Sequence, residues 1–184
     1  ADSTGGLTIN AATTTGGVTG IKAFNSGTGA LTIETTGITT GDNSAGINAY
    51  NDGLGAVSIT TTSTTTGATD GITAINKGTG ALSITTMGIT TGSAGNGIDA
   101  QNLEYYGNIP TSLTINAATT TGGTHGINAL NNGTGALSIT TSGAITGGTY
   151  YGIVALTSAN KMTNITLNSG AVSSTAGLGI YNNG

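Results

Sequence analysis

The sequence predicts an all-β chain: a right-handed parallel β-helix, or solenoid, of about seven coils of roughly 25 residues with three short strands per coil. Three observations predict it. One phrase recurs as NSGTGALTIET (Asn25 to Thr35), NKGTGALSITT (Asn76 to Thr86) and NNGTGALSITT (Asn131 to Thr141), with a looser NDGLGAVSITT from Asn51 to Thr61. Gly (34) and Thr (40) dominate a 184-residue chain of which only 5% is charged. Aliphatic residues recur two apart, the period of a strand rather than a helix.

The first strand of each unit is L-x-I. Aligned on it, the units start at Leu7, Leu31, Val57, Leu82, Leu113, Leu137 and Ile165, at spacings of 24, 26, 25, 31, 24 and 28. Ile9, Ile33, Ile59, Ile84, Ile115, Ile139 and Leu167 then form a second column. The middle strand is Thr-rich, with an expected inward column of Thr14, Ile38, Thr64, Ile89, Thr120, Ile145 and Val172; β-branched residues suit strands. The third strand is Gly-Ile-x-Ala, from Gly20 through Gly152, and it puts Ile and Ala on one side. Gly179-Ile180 opens the last copy, with Asn182 where Ala is expected. Right-handed winding follows from the handedness of parallel crossovers.

N-x-G-T-G-A is the corner from the third strand into the next coil. Its glycines are expected to supply positive φ. Its asparagines (Asn25, Asn51, Asn76, Asn102, Asn131) recur at one height, so their amides can bond along the axis. Three large aliphatics per coil cannot offset the entropy of ordering some 25 residues, so a coil needs neighbours on both sides. Residues 1–184 read as one such segment; the opening Ser3 to Leu7 and the closing Asn182 to Gly184 look like parts of the corner, as in a piece cut from a longer rod.

Composition excludes several functions. Three lysines (Lys22, Lys77, Lys161) and no arginine make no basic field for nucleic acid. No run of about 18 apolar residues exists for a membrane helix, and no signal peptide is expected within the segment. The absence of Cys rules out disulfides and thiolate metal sites. The acids (Asp2, Glu34, Asp42, Asp52, Asp70, Asp99, Glu104) fall in different columns, so neither an enzyme nor a metal or cofactor site is expected. Asp70, His125 and Tyr151 share the place just before Gly-Ile, but Asp70 and His125 are two coils, roughly 10 Å, apart.

Binding residues are sought instead on loops and outer faces. The longest spacing holds an insertion, Asn102 to Ser112, with Glu104, Tyr105 and Tyr106 as a candidate binding loop. Thr60, Thr85, Thr140, Tyr150 and Tyr151 are the candidate contact face. The outward positions of the first strand mix Thr with Ser, Asn and Glu, so an ice-binding Thr array is kept there as the lesser alternative. A glycan-binding or glycan-cleaving β-helix is the other alternative.

Repeated GI-x-A-x-N-x-GTGAL-[ST]-I-TT coils resemble the passenger domains of large bacterial autotransporter adhesins (type V secretion) and, more loosely, filamentous haemagglutinin-type exoproteins. The resemblance spans all seven units. It implies a right-handed β-helix exported through an outer-membrane barrel to the cell surface or medium. It further implies adhesion or self-association, with another copy or a surface protein or glycan of another cell as partner. No residue here matches the barrel or a protease motif of that family.

Overall fold

The computed structural model describes residues 5–158, 162–168 and 170–183. Asp2, Ser3, Lys161 and Gly184, named above, lie outside the described residues. The chain is a β-solenoid of about seven coils with a repeat of about 26 residues, and no helix occurs among the described residues. Coil 3 is representative: Val57–Thr61 forms the first sheet, Thr65–Gly67 the second and Ile72–Asn76 the third. Each sheet contains seven parallel strands, one per coil, in coil order.

Register is unstaggered. Leu31 pairs with Val57 and Val57 with Leu82; Ile47 pairs with Ile72 and Ile72 with Ile98. The L-x-I and I-x-A columns therefore meet along a common axis as the core. Leu31, Ile33, Ile47, Ile72, Leu82, Ile84, Ile98, Leu113 and Ile127 are all 0% exposed. Each core side chain is covered by its counterparts above and below, the contact that an isolated coil lacks.

Three expectations are corrected. In the middle strand the inward column is Thr14, Thr39, Thr65, Thr90, Thr120, Ile145 and Val172. Ile38 and Ile89 face solvent, half-exposed. A one-residue slip turns every side chain of a strand to the other face; T-T-T contains no apolar contrast to set it, and in I-T-T the contrast points the wrong way. The glycine that closes the strand sets it instead. At Gly41, Gly67 and Gly92 an added Cβ would overlap the carbonyl oxygen of Ala45, Asp70 or Asn96 across the next corner.

In the last coil Thr163 pairs with Leu137, Ile165 with Ile139, and Leu167 with Thr141. The sequence alignment of Ile165 with Leu137 was two residues off. A slip of two keeps the faces and so is invisible to alternation.

The corner glycines, third, do not adopt positive φ. Among the described residues only Tyr106, Gly107 and Gly170 do. The corners need glycine because the coils approach closely: a Cβ on Gly80 would lie 2.5 Å from both N and Cα of Ala56 in the coil before.

The asparagine ladder forms as expected. Asn25, Asn51, Asn76 and Asn102 each donate from Nδ2 to Oδ1 of the asparagine one coil on, at 2.8 Å every time. Asn51, Asn76 and Asn131 also donate to Gly55 O, Gly80 O and Gly135 O of their own corners at 2.9 Å. Their Oδ1 atoms accept backbone N–H bonds, as from Gly78 to Asn76 and from Gly133 to Asn131 at 3.1 Å. Thr157 occupies this place in coil 6 and ends the ladder.

Candidate functional site

Three outer faces and one hairpin carry the exposed chemistry. On the first sheet, Thr60 pairs with Thr85, Thr85 with Asn116, Asn116 with Thr140, and Thr140 with Thr166. The three candidate threonines thus stand in one file, interrupted once by Asn116. Beside it runs Thr32, Ser58, Ser83, Thr114 and Ser138. Thr85, Asn116, Thr140, Met87 and Ser142 line a shallow groove where this face turns toward the second sheet. The two files are uncharged except for Glu34, so the face offers hydroxyls and amides at a spacing of about 4.8 Å.

The insertion folds as a miniature hairpin. Tyr105 N donates to Asn108 O (3.1 Å) and Asn108 N to Tyr105 O (2.9 Å). Tyr106 (φ 49°) and Gly107 (φ 80°) both sit in the left-handed region, the signature of a tight I′ turn. Tyr106, at the tip, is 90% exposed and packs edge-on to Tyr105 at 4.3 Å. Glu104 is exposed beside them. The hairpin is clamped to the solenoid by Lys77, whose Nζ lies 4.0 Å from the Tyr105 ring centre and 5.0 Å from that of Tyr50. Interaction with Tyr50 raises the Lys77 pKa, and Asp52 adds to the effect. Contact with Tyr106 raises that of Tyr105.

Tyr150 and Tyr151 are not on the threonine face. They lie at the corner between the second and third sheets, where His125 stacks on both at 5.5 and 5.7 Å; Tyr151 continues the stack to Tyr181 at 5.3 Å. Asn96 joins Asp70 to His125 here. Its backbone N–H donates to Asp70 Oδ1 (2.6 Å) and its Oδ1 lies 2.9 Å from His125 Nδ1. Asp99, on the adjacent strand, accepts from Gln101 Nε2 (3.0 Å) and Asn128 Nδ2 (2.9 Å). Burial pushes the Asp99 carboxyl above its ordinary range, against those two hydrogen bonds, and Asp70's charge adds to the rise. Burial lowers the His125 pKa, opposed by Asp99. Among the described residues no three His, Cys, Asp or Glu side chains converge as metal ligands.

One feature of the third sheet escaped the sequence reading. Phe24, Tyr50, Ile75, Gln101, Leu130 and Leu156 pair in that order on its outer side. Phe24 and Tyr50 stack at 5.4 Å, and with Lys22, Asn48 and Asp52 they line a groove. Its sequence signal is the second variable position of Gly-Ile-x-Ala-x, which is large and apolar in every one of these six except Gln101.

No family model, curated protein or solved structure matches this chain.

Proposed function

We propose that this chain is a segment of a structural and adhesive rod of a bacterial surface or secreted protein. It would act by self-association or by adhesion to another cell's surface protein or glycan. One observation carries the reading: the exposed files of the first sheet repeat one hydroxyl-and-amide patch in register from coil to coil. A face of that kind makes many weak, identical contacts that add by multivalency. The stacked core and the asparagine ladder supply the stiffness that keeps those contacts aligned.

The test is cell clumping. Cells displaying the full protein with Thr60→Lys, Thr85→Lys and Thr140→Lys should lose clumping, because lysines about 4.8 Å apart at 60 and 85, with a third two coils on at 140, repel one another and a matching face. Unchanged clumping removes this face from the reading.

Glycan binding is the second reading. It is favoured by the corner where Asp70, Asn96, Asp99 and His125 sit beside the Tyr150 and Tyr151 rings, since amides, carboxylates and aromatic edges are the groups that hold sugars. Retention on a polysaccharide panel, lost in Tyr151→Ala but not in the lysine triple variant, would favour it; release of new reducing ends would extend it to cleavage.

A further inference from the structure

The second sheet presents a file that the first does not. Thr15, Thr40, Thr66, Thr91, Thr121 and Thr146 pair one on the next without interruption, continued by Ser173. All point outward, exposed or half-exposed, because their neighbours Thr14, Thr39, Thr65, Thr90 and Thr120 point in. One position before each strand stands a second outward file in which Thr13, Thr64 and Thr119 alternate with the half-exposed Ile38 and Ile89, and which ends in Ala144 and Ala171. Ladder bonds run through this position as well: Thr39 N donates to Thr64 O and Thr65 N to Ile89 O, at 2.9 and 2.8 Å.

The face is a rectangular grid. Successive coils repeat at about 4.8 Å, and residues two apart along a strand at about 6.6 Å. Both repeats are close to those of the oxygen atoms on a prism face of ice. No charged residue interrupts either file; Asp42 follows one strand and lies outside both. Threonine is stiff at χ1, so each hydroxyl and methyl is held in place at little entropic cost. Among the described residues of the main file, the only hydroxyl-to-hydroxyl contact is Thr146 to Ser173 at 3.5 Å, so the other hydroxyls face water. In the flanking column Gly17, Asp42, Ala68, Ser93, Gly123 and Gly148, only Asp42 carries a side chain larger than serine's.

We infer that the second sheet binds ice. Hydroxyls at lattice spacing hold waters where the crystal would place them, and the threonine methyls with Ile38 and Ile89 order the waters between. This reading goes beyond the adhesive one and uses a different face, so either can fail without the other.

The chain is tested as it stands, by nanolitre osmometry with a single ice crystal. The expected result is a gap between melting and freezing temperatures and a faceted crystal. Thr66→Lys with Thr91→Lys should abolish both; Thr60→Lys with Thr85→Lys and Thr140→Lys, on the first sheet, should leave both in place. Thr66→Val with Thr91→Val keeps the methyls and the strand preference, and is the variant to use if the lysine pair fails to give a strand-type circular dichroism spectrum. Coincident melting and freezing of the unmodified chain, with round crystals, overturns the inference. So does loss of activity on substituting the first sheet with the second intact.

Discussion

Asn51 Nδ2 donates to Asn76 Oδ1 at 2.8 Å between adjacent coils, and both residues are 0% exposed. Each amide in this file is therefore a link between coils and also the partner of its own corner. Replacing Asn76 by Ala leaves Asn51 Nδ2 without one acceptor, Asn102 Oδ1 without its donor from coil 3, and Gly80 O and Gly78 N without their side-chain partners. Unsatisfied buried groups cost about 1–3 kcal/mol each. Asn76→Ala should lower stability by about 2–4 kcal/mol, read from urea unfolding. Asn25→Ala, which breaks one link between coils rather than two, along with its own corner's bonds to Gly29 O and Gly27 N, should cost less. Equal losses would mean the ladder is not a chain of linked bonds.

Glycine tolerance should divide by position. Gly71→Ala puts a methyl 2.6 Å from Gly97 O and Thr90 Cγ2, and should destabilise by about 1–3 kcal/mol or more through forced separation of coils. Gly17 has nothing within 4 Å of the added atom and no left-handed backbone. Gly17→Ala should be neutral or stabilise by up to about 1 kcal/mol, by restricting the unfolded chain. Thermal midpoints of the two variants check the contrast.

The inward threonines of the second sheet are not optimal. The Thr39, Thr65 and Thr90 hydroxyls are buried without a hydrogen-bond partner, and coils 6 and 7 carry Ile145 and Val172 at the same place. Thr65→Val keeps the shape and removes an unpaired polar group, so it should raise stability by about 1 kcal/mol. A lower urea midpoint would show that the hydroxyl is satisfied in solution.

Asp99 on the third sheet and His125 at the corner before it give stability opposite dependences on pH. The His125 pKa is lowered from its ordinary value of 6.5, so the folded chain resists protonation more than the unfolded one. Its contribution is complete above about pH 6.5 and is lost as pH falls through the folded value. His125→Phe, which keeps a ring on Tyr150 and Tyr151, should flatten that fall. The Asp99 pKa is raised from 3.8, so its contribution is present below that value and is lost as pH rises through the folded one. Asp99→Asn should remove that loss and raise the neutral-pH unfolding midpoint relative to acid. Unfolding midpoints from pH 3 to 8, set beside the parent chain, test both signs.

The Lys77 clamp should hold the hairpin. Lys77→Ala removes the cation from between Tyr50 and Tyr105, and the Tyr105 and Asn108 amides should exchange hydrogen faster while core amides such as Ile72 are unaffected. Unchanged exchange at Tyr105 would mean that the turn alone orders the loop.

The fold class was legible because its cause is repetition. Leu and Ile at constant two-residue spacing, followed by Asn and glycine at constant offsets, can bury themselves in few ways other than stacking, and the expected columns from Leu31 to Leu137 and from Ile21 to Ile153 are those of the core. The asparagine ladder was legible for the same reason. Local composition could not decide the direction of the middle strand. Threonine is acceptable on either face, and the Ile38 and Ile89 side chains were expected inside by hydropathy alone. Tertiary structure decided it: the inward corner glycines, Gly41, Gly67 and Gly92, admit no side chain where the next corner's carbonyl passes, and that contact turns Thr39, Thr65 and Thr90 in and Thr40, Thr66 and Thr91 out. Sequence alone therefore determined a stack of coils and its core. Which hydroxyls that stack shows to the outside was set by the close approach of each closing glycine to the corner three or four residues on and to the coil before it, as of Gly67 to Asp70 O and Gly46 N, a crowding that shows only once the chain is folded and stacked.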